Sequence, residues 1–392
     1  MKIYNLKKYS ELLFYIISLF FINRFFQFEL FQKISFLQQI YANVSRISFL
    51  IILVYFINNR IKKEDIKLLI LILIYLFFIL LTTVLNNGSI RSFIMMSYPI
   101  IGTVLLICIG IRKNVDLLLK SFVYLFYGLI AINFFDAILF KDLSSEYSTN
   151  YYFIGGKNQL AISFAIGFCF IKIYYKKWKT KKLKILLISY LCMIIMTSIV
   201  SKSGTCIISV MVLIILNYFK FLKRLINPFT FFCGYIALWI GLVILKIQNY
   251  FRFFIEGILH KDVTFTYRTV IWEKALKEIK KCPLLGYGMH QDTNYFKIKV
   301  IYPNGEFLKN YSGHNQIIQV LYENGIVAVI FFIIFYIICC SGKRTNNTNF
   351  IYFFNTVIII FITWLAEAPG IYAMFVMLTF CYYSRYIKEK NI

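Results

Sequence analysis

All three histidines of the chain are His260, His290 and His314. Imidazole titrates near neutral pH, so each can serve as acid, base or ligand. Their spacing fits no local metal motif. With neither an HExxH nor a CxxC pattern, zinc hydrolysis has no ligand set, and neither a metal nor a cofactor is expected. A Gly-x-Ser-x-Gly nucleophile elbow is also missing. His314 stands apart from the other two. A helix beginning there carries Asn315, Gln319 and Tyr322 on one polar stripe, extended by Glu323, inside an otherwise apolar run. Polar groups in such a run are costly unless they are paired or used. A site lining is better supported than the alternative, a helix cap with a structural hydrogen-bond network. Gly325 would let another backbone approach closely.

The second chemistry-bearing group is cationic: Arg91, Lys157, Lys202 and Arg268. They share one face only if the connections that carry them converge. An arginine fork binds phosphate oxygens in pairs and keeps its charge. Taken singly, each of the four also fits a side chain snorkelling to lipid headgroups. Two of them differ. Arg268 sits on a loop helix beside an aromatic residue. Lys202 lies in the tight polar turn Ser201-Lys202-Ser203-Gly204-Thr205, which can aim N–H groups and a cation at an anion.

Composition dictates the elements that must position these side chains. The 392 residues are 60% hydrophobic, 19% aromatic and 15% charged, against about 25% charged in an average soluble domain. Apolar runs near 11–30, 40–57, 66–85, 93–111, 116–140, 158–175, 183–199, 205–222, 229–246, 315–340, 350–366 and 369–387 can each cross a hydrocarbon core of roughly 30 Å. An ordinary soluble protein is excluded. The fold expected is all-α, a multi-pass transmembrane helical bundle of about 12 spans forming one membrane domain over residues 1–392. The first run follows Lys2, Lys7 and Lys8 as a signal peptide would, but no small-x-small cleavage site follows it. It reads as a retained first helix. The cysteines lie almost entirely within the runs, Cys282 excepted, and read as buried apolar residues.

Lys and Arg total 43 against 17 acids, a formal net charge of +26. They crowd alternate connections: the N-terminus, then Arg60 to Lys67, Arg112 to Lys120, Lys172 to Lys184, Lys220 to Arg224, Lys343 and Arg344, and Arg385 to Lys390. The positive-inside rule makes that set cytoplasmic, with both termini inside and the protein in the cytoplasmic (inner) membrane. The charge is a topology signal, and no nucleic-acid partner is implied. An ion-coupled carrier would show charges near the midplane and broken helices in two related halves. Here Pro99 is the clearest mid-span break, while Asp136, Glu323 and Glu367 fall toward the outer ends.

One connection is long, residues 247–314, and the topology puts it outside, between the ninth and tenth spans. Long loops are usually functional. Within it, Tyr267 to Lys281 predicts a short amphipathic helix with Arg268, Trp272, Ala275 and Ile279 along one stripe. Thr264 or Thr266 could cap it, Pro283 ends it, and Gly286-Tyr287-Gly288 gives a sharp turn.

Several of these segments together resemble the O-antigen ligase and polymerase superfamily. His314-Asn315, nine residues, Gly325, two residues and Ala328 is similar to that family's signature, departing from it at Ala328, which keeps a small side chain. Arg268, three residues, Trp272, then Pro283-Leu284-Leu285-Gly286-Tyr287-Gly288 resembles its loop motif. The Ser201 to Thr205 turn is similar to its Ser-x-Ser-Arg-Thr turn with Gly204 in place of Arg, leaving Lys202 as a substitute, and Gly156-Lys157-Asn158 resembles a segment opening a middle span. The resemblance implies a GT-C-like glycosyltransferase acting at the outer face on undecaprenyl-diphosphate-linked oligosaccharide. A flippase and a chain-length regulator are the protein partners it implies. In the polymerase branch the growing chain joins a further lipid-linked repeat unit; in the ligase branch it passes to lipid A-core. His314 is then the candidate base or acceptor-orienting group. Arg268, with Lys202, Arg91 and Lys157, is the candidate for the diphosphate, and Asn315, Gln319, Tyr322 and Glu323 for the glycan. Single-step displacement would invert the anomeric centre. Polymerase is favoured over ligase, and a flippase or other polysaccharide transporter is the reading from a different class.

Overall fold

The computed structural model describes residues 2–26, 28, 33–59, 61–139, 151–219, 227–258, 268–290, 299–301, 307–309, 312–341 and 347–387. His260, Thr264, Thr266 and Tyr267 lie outside these residues, as do Arg60, Lys220 to Arg224, Lys343, Arg344, Lys388 and Lys390.

Nearly everything described is helical. The helices are α1 (Lys2–Ile22), α2 (Ser35–Ile57), α3 (Lys63–Leu85), α4 (Ile90–Lys113), α5 (Val115–Leu139), α6 (Leu160–Trp178), α7 (Lys181–Val200), α8 (Gly204–Tyr218), α9 (Pro228–Trp239), α10 (Arg268–Ile279), α11 (Gln316–Cys340), α12 (Thr348–Ala366) and α13 (Tyr372–Tyr383). A π turn, Ile240–Ile244, continues α9. Seven of the helices are long and apolar enough to cross a membrane, so the protein is an all-α integral membrane protein. The polar helix starts are capped from the sequence. Ser89, Thr180, Ser203, Asn227, Asn315 and Asn347 each accept a hydrogen bond from an N–H of the first turn.

Packing follows from which helices are apolar all round. Every residue of α13 is buried, as is most of α12. With α6 and the second half of α4 they form the middle of the bundle. By contrast α2, α7 and α8 turn Leu50, Val54, Ile185, Ile199, Ile208 and Met211 outward. In a membrane protein, such surface faces lipid chains.

The two ends of the bundle differ. At one, Arg112 bonds Glu64 and Asp65, Arg385 bonds Glu64, and Lys177 pairs with Asp116. The other carries the starts of α4, α8 and α11 and the ends of α3 and α12. Backbone bonds there tie Ser89 N–H to the Met289 carbonyl.

Local structure departs from the sequence expectation in several places. The first helix stops at Ile22 rather than running on to Leu30, because the Asn23 side chain donates to the Leu19 and Phe20 carbonyls and competes for the helix's own acceptors. Phe25, Phe26 and Phe28 are instead buried. The long connection also holds strand structure: Lys299–Ile301 (β3) pairs antiparallel with Phe307–Lys309 (β4), with Val300 opposite Leu308. A smaller hairpin, Tyr151–Tyr152 (β1) with Gly155–Gly156 (β2), precedes α6.

The tenth apolar run is broken. At Gly325, φ +69° and ψ −174° interrupt α11, and the segment after α10 fills the break. Tyr287 and Gly288 donate to the carbonyls of Tyr322 and Glu323, while Ile326 and Val327 donate to those of Pro283 and Leu284. The backbone groups freed by the break are therefore satisfied, as an irregular segment within a membrane protein requires. A Cβ on Gly286 would lie 2.6 Å from the Tyr322 carbonyl oxygen. Gly325 does admit a second backbone, as its position in the sequence suggested.

Candidate active site around Glu367

His314 sits immediately before α11 in left-handed backbone, φ +43°. Asn315, its neighbour, caps the helix through Ile318 N–H, accepts from Trp239 Nε1 and donates to the Leu365 carbonyl. Gly313 is held from both sides: its carbonyl accepts from Trp272 Nε1 at 3.0 Å, and its N–H donates to Gln319 Oε1 at 2.8 Å. The turn that presents His314 is therefore clamped by residues from α9, α10 and α11.

The imidazole faces a carboxylate. His314 Nδ1 lies 3.5 Å from Glu367 Oε2, with the His314 side chain 34% exposed and that of Glu367 10%. Arg268, at the start of α10, donates from Nη2 to the other oxygen, Oε1, at 2.5 Å. Asn158 donates to the same oxygen at 2.7 Å and accepts from Ser203 Oγ at 2.6 Å. Burial alone would raise the Glu367 carboxyl, but the His314 contact, the Arg268 charge and the Asn158 amide outweigh it and hold it below the usual carboxylate range. The carboxylate stays charged and can share its charge with an imidazolium. Glu367 was not among the candidate site residues. One acid just past the end of a span gives no local signal, and only the fold brings it to Arg268.

The two ends of the α10 pattern now have separate reasons. Arg268 reaches Glu367, and Trp272, one turn on, braces the Gly313–His314 turn. Ile271, Trp272, Ala275 and Ile279 are buried, the apolar stripe expected of an amphipathic helix. The ion pair of Lys246 with Glu273 ties the end of the α9 segment to α10.

The remaining expected residues divide. Lys157 adjoins Asn158, and Lys202 adjoins Ser203 in left-handed backbone, φ +50°, so the Ser203–Asn158 bond brings both turns together beside Glu367. Arg91 is exposed and takes no part in these contacts. Gln319 bridges Gly313 and Glu323, donating to Glu323 at 2.5 Å. Asn315 is completely buried with its amide engaged, and Tyr322 is 1% exposed with its ring on Tyr287. As the protein stands, both side chains are engaged within the protein. His290 Nε2 lies 3.0 Å from the Tyr287 carbonyl oxygen. Among the described residues no three His, Cys, Asp or Glu side chains gather as a ligand set.

These features define a class: a multi-pass helical membrane protein with an arginine bonded to a glutamate, and a histidine facing that glutamate, at one end of its bundle. Residues 190–333 match the family model for O-antigen ligase. That match supports a place in the O-antigen ligase/polymerase superfamily. Its matched segment contains Lys202, Arg268 and His314 but neither Asn158 nor Glu367. No curated protein matches the chain.

Proposed function

We propose that the protein is a polymerase that joins undecaprenyl-diphosphate-linked oligosaccharide repeat units into O-antigen or capsular polysaccharide. In this reading the chain is a single 12-span membrane domain, and the Glu367 end faces outward, because the Lys- and Arg-rich connections belong to the cytoplasmic side. The observation that carries the reading is the meeting of His314 and Arg268 on one buried carboxylate at that end.

The chemistry follows from the atoms. The acceptor hydroxyl attacks the anomeric carbon, the bond from that carbon to the diphosphate oxygen breaks, and the new glycosidic bond forms with inversion. The hydroxyl proton passes to His314 Nε2, since Nδ1 faces Glu367, and the carboxylate stabilises the imidazolium that results. Charge developing on the departing diphosphate is met by the N–H groups of Arg268 that Glu367 does not use, with Lys157 and Lys202 on adjoining turns. No metal is needed in this scheme. Transfer to lipid A-core by a ligase would use the same groups, and the two reactions differ only in the acceptor.

The test is polysaccharide length in a deletion strain complemented with wild type, His314→Ala or Arg268→Ala, with membrane expression measured for each. Expressed variants that leave single lipid-linked repeats support polymerisation at this site. Long chains that stay on the lipid carrier assign the ligase reaction instead. Normal polymer from both variants overturns the site, and a flippase would give that result.

A further inference from the structure

Arg268 already has an acid. Arg24, just past the end of α1, has no acid partner among the described residues. Among the described residues its contacts are a hydrogen bond from Nη2 to the Tyr98 hydroxyl at 2.8 Å and a position 5.7 Å from that ring's centroid. Tyr98 is itself fixed by Ser45 at 3.1 Å. Arg24 is only partly exposed, and the chain on either side is anchored: Asn23 caps α1, and the Phe25 carbonyl accepts from Ser163. Its guanidinium is thus held in place with most of its donors unspent.

Arg24 lines a small cleft of about 30 Å³, with Gly155, Gly156, Gln159, Gly370 and Tyr372 among the other walls. Two segments build both this cleft and the Glu367 cluster. Residues 155–159 supply Asn158 to Glu367 and glycines to the cleft; residues 367–372 supply Glu367 to one and Gly370 and Tyr372 to the other. Neither Arg268 nor His314 lines the cleft. A partly buried cation in a cleft, with no acid partner among the described residues, favours an anion, and a planar fork favours paired phosphate oxygens.

We propose that Arg24 is the phosphate-binding residue of a second anion subsite, adjoining the one at Arg268. The identity of the anion rests on the polymerase reading, in which two lipid-linked diphosphates, donor and acceptor, must be bound at once. Arg24 then holds one diphosphate while Arg268 meets the other.

The test is binding of a short-chain polyprenyl diphosphate, with the matching polyprenyl alcohol as control, to the full-length protein in nanodiscs. The wild type is expected to take up two diphosphates per chain. Arg24→Gln should take up one, with affinity at the lost site down at least tenfold, while Arg24→Lys keeps two and the alcohol binds all three proteins alike. Retention of both sites by Arg24→Gln overturns the proposal and leaves the polymerase reading intact, whereas a single wild-type site that Arg268→Gln abolishes overturns the proposal together with the two-diphosphate requirement it rests on. Equal weakening of alcohol binding by Arg24→Gln reduces Arg24 to packing and also overturns it. A wild type that binds no diphosphate overturns the reading itself.

Discussion

Arg268 and Glu367 meet at 2.5 Å across 99 residues of chain, and each is held by a different layer. Arg268 rides on α10, whose apolar stripe is buried; Glu367 ends α12 at the centre of the bundle. Removing either leaves the other only partly hydrated, with its partner gone. Single Arg268→Ala and Glu367→Ala variants should therefore each lose stability, and the double variant should lose less than their sum, with a coupling of about 1 kcal/mol or more. Thermal unfolding of the detergent-extracted proteins in a double-mutant cycle measures this, and strictly additive losses would show that the contact carries no weight.

Glu367→Gln separates charge from shape. The amide still reaches Asn158 and Arg268, but it can no longer stabilise an imidazolium on His314. We expect folded protein at near wild-type levels with chain extension reduced about 100-fold, the loss typical of a positioned proton-transfer group. The rate of loss of lipid-linked single repeats in membranes reads it directly. Wild-type extension by this variant would remove Glu367 from the chemistry.

The break in α11 makes a sharper structural prediction. At Gly325 the backbone is left-handed, and a Cβ would stand 2.1 Å from the Leu284 carbonyl oxygen. Gly325→Ala should cost about 3 kcal/mol or more and abolish folded, extractable protein. Gly204→Ala is the control, since a Cβ there meets nothing within 4 Å. Size-exclusion profiles of the two extracts compare them.

Much of the bundle was legible because apolar runs and cationic connections are properties of consecutive residues. The helix at Arg268, the His314 turn and the close approach at Gly325 were legible for the same reason, since each is a local pattern. What escaped was whatever depended on distant partners. Glu367 acquires its meaning only from Arg268 and Asn158. Asn315 and Tyr322 share the His314 stripe by spacing, and their contacts with Trp239, Leu365 and Tyr287 come only from the fold. The end of α1 at Asn23 was missed because an apolar run outweighed one side chain that can compete with the backbone.

Ser203 joins two tasks, capping α8 at the Cys206 N–H and donating to Asn158. Ser203→Ala should cost about 1 kcal/mol from the cap and, in addition, free the Asn158 amide to leave Glu367. Ser203→Thr keeps both hydroxyl functions. If activity follows the Asn158 link, alanine should lower chain extension while threonine restores most of it, in membranes carrying equal amounts of protein.

The pH response has a defined sign. The Glu367 carboxyl titrates lower in the folded protein than the ordinary carboxylate value of about 4.3 that it has when unfolded. Its stabilising contribution is therefore complete above about pH 5 and is lost as the pH falls through the folded value, where protonation dissolves the ties to Arg268 and His314. Glu367→Gln has no such titration. The stability difference between wild type and Glu367→Gln should stay level from pH 7 to about pH 5 and shrink below about pH 4. Unfolding midpoints of the two proteins across that range check it; a difference that grows on acidification would mean that burial, and not the cations, governs this carboxylate.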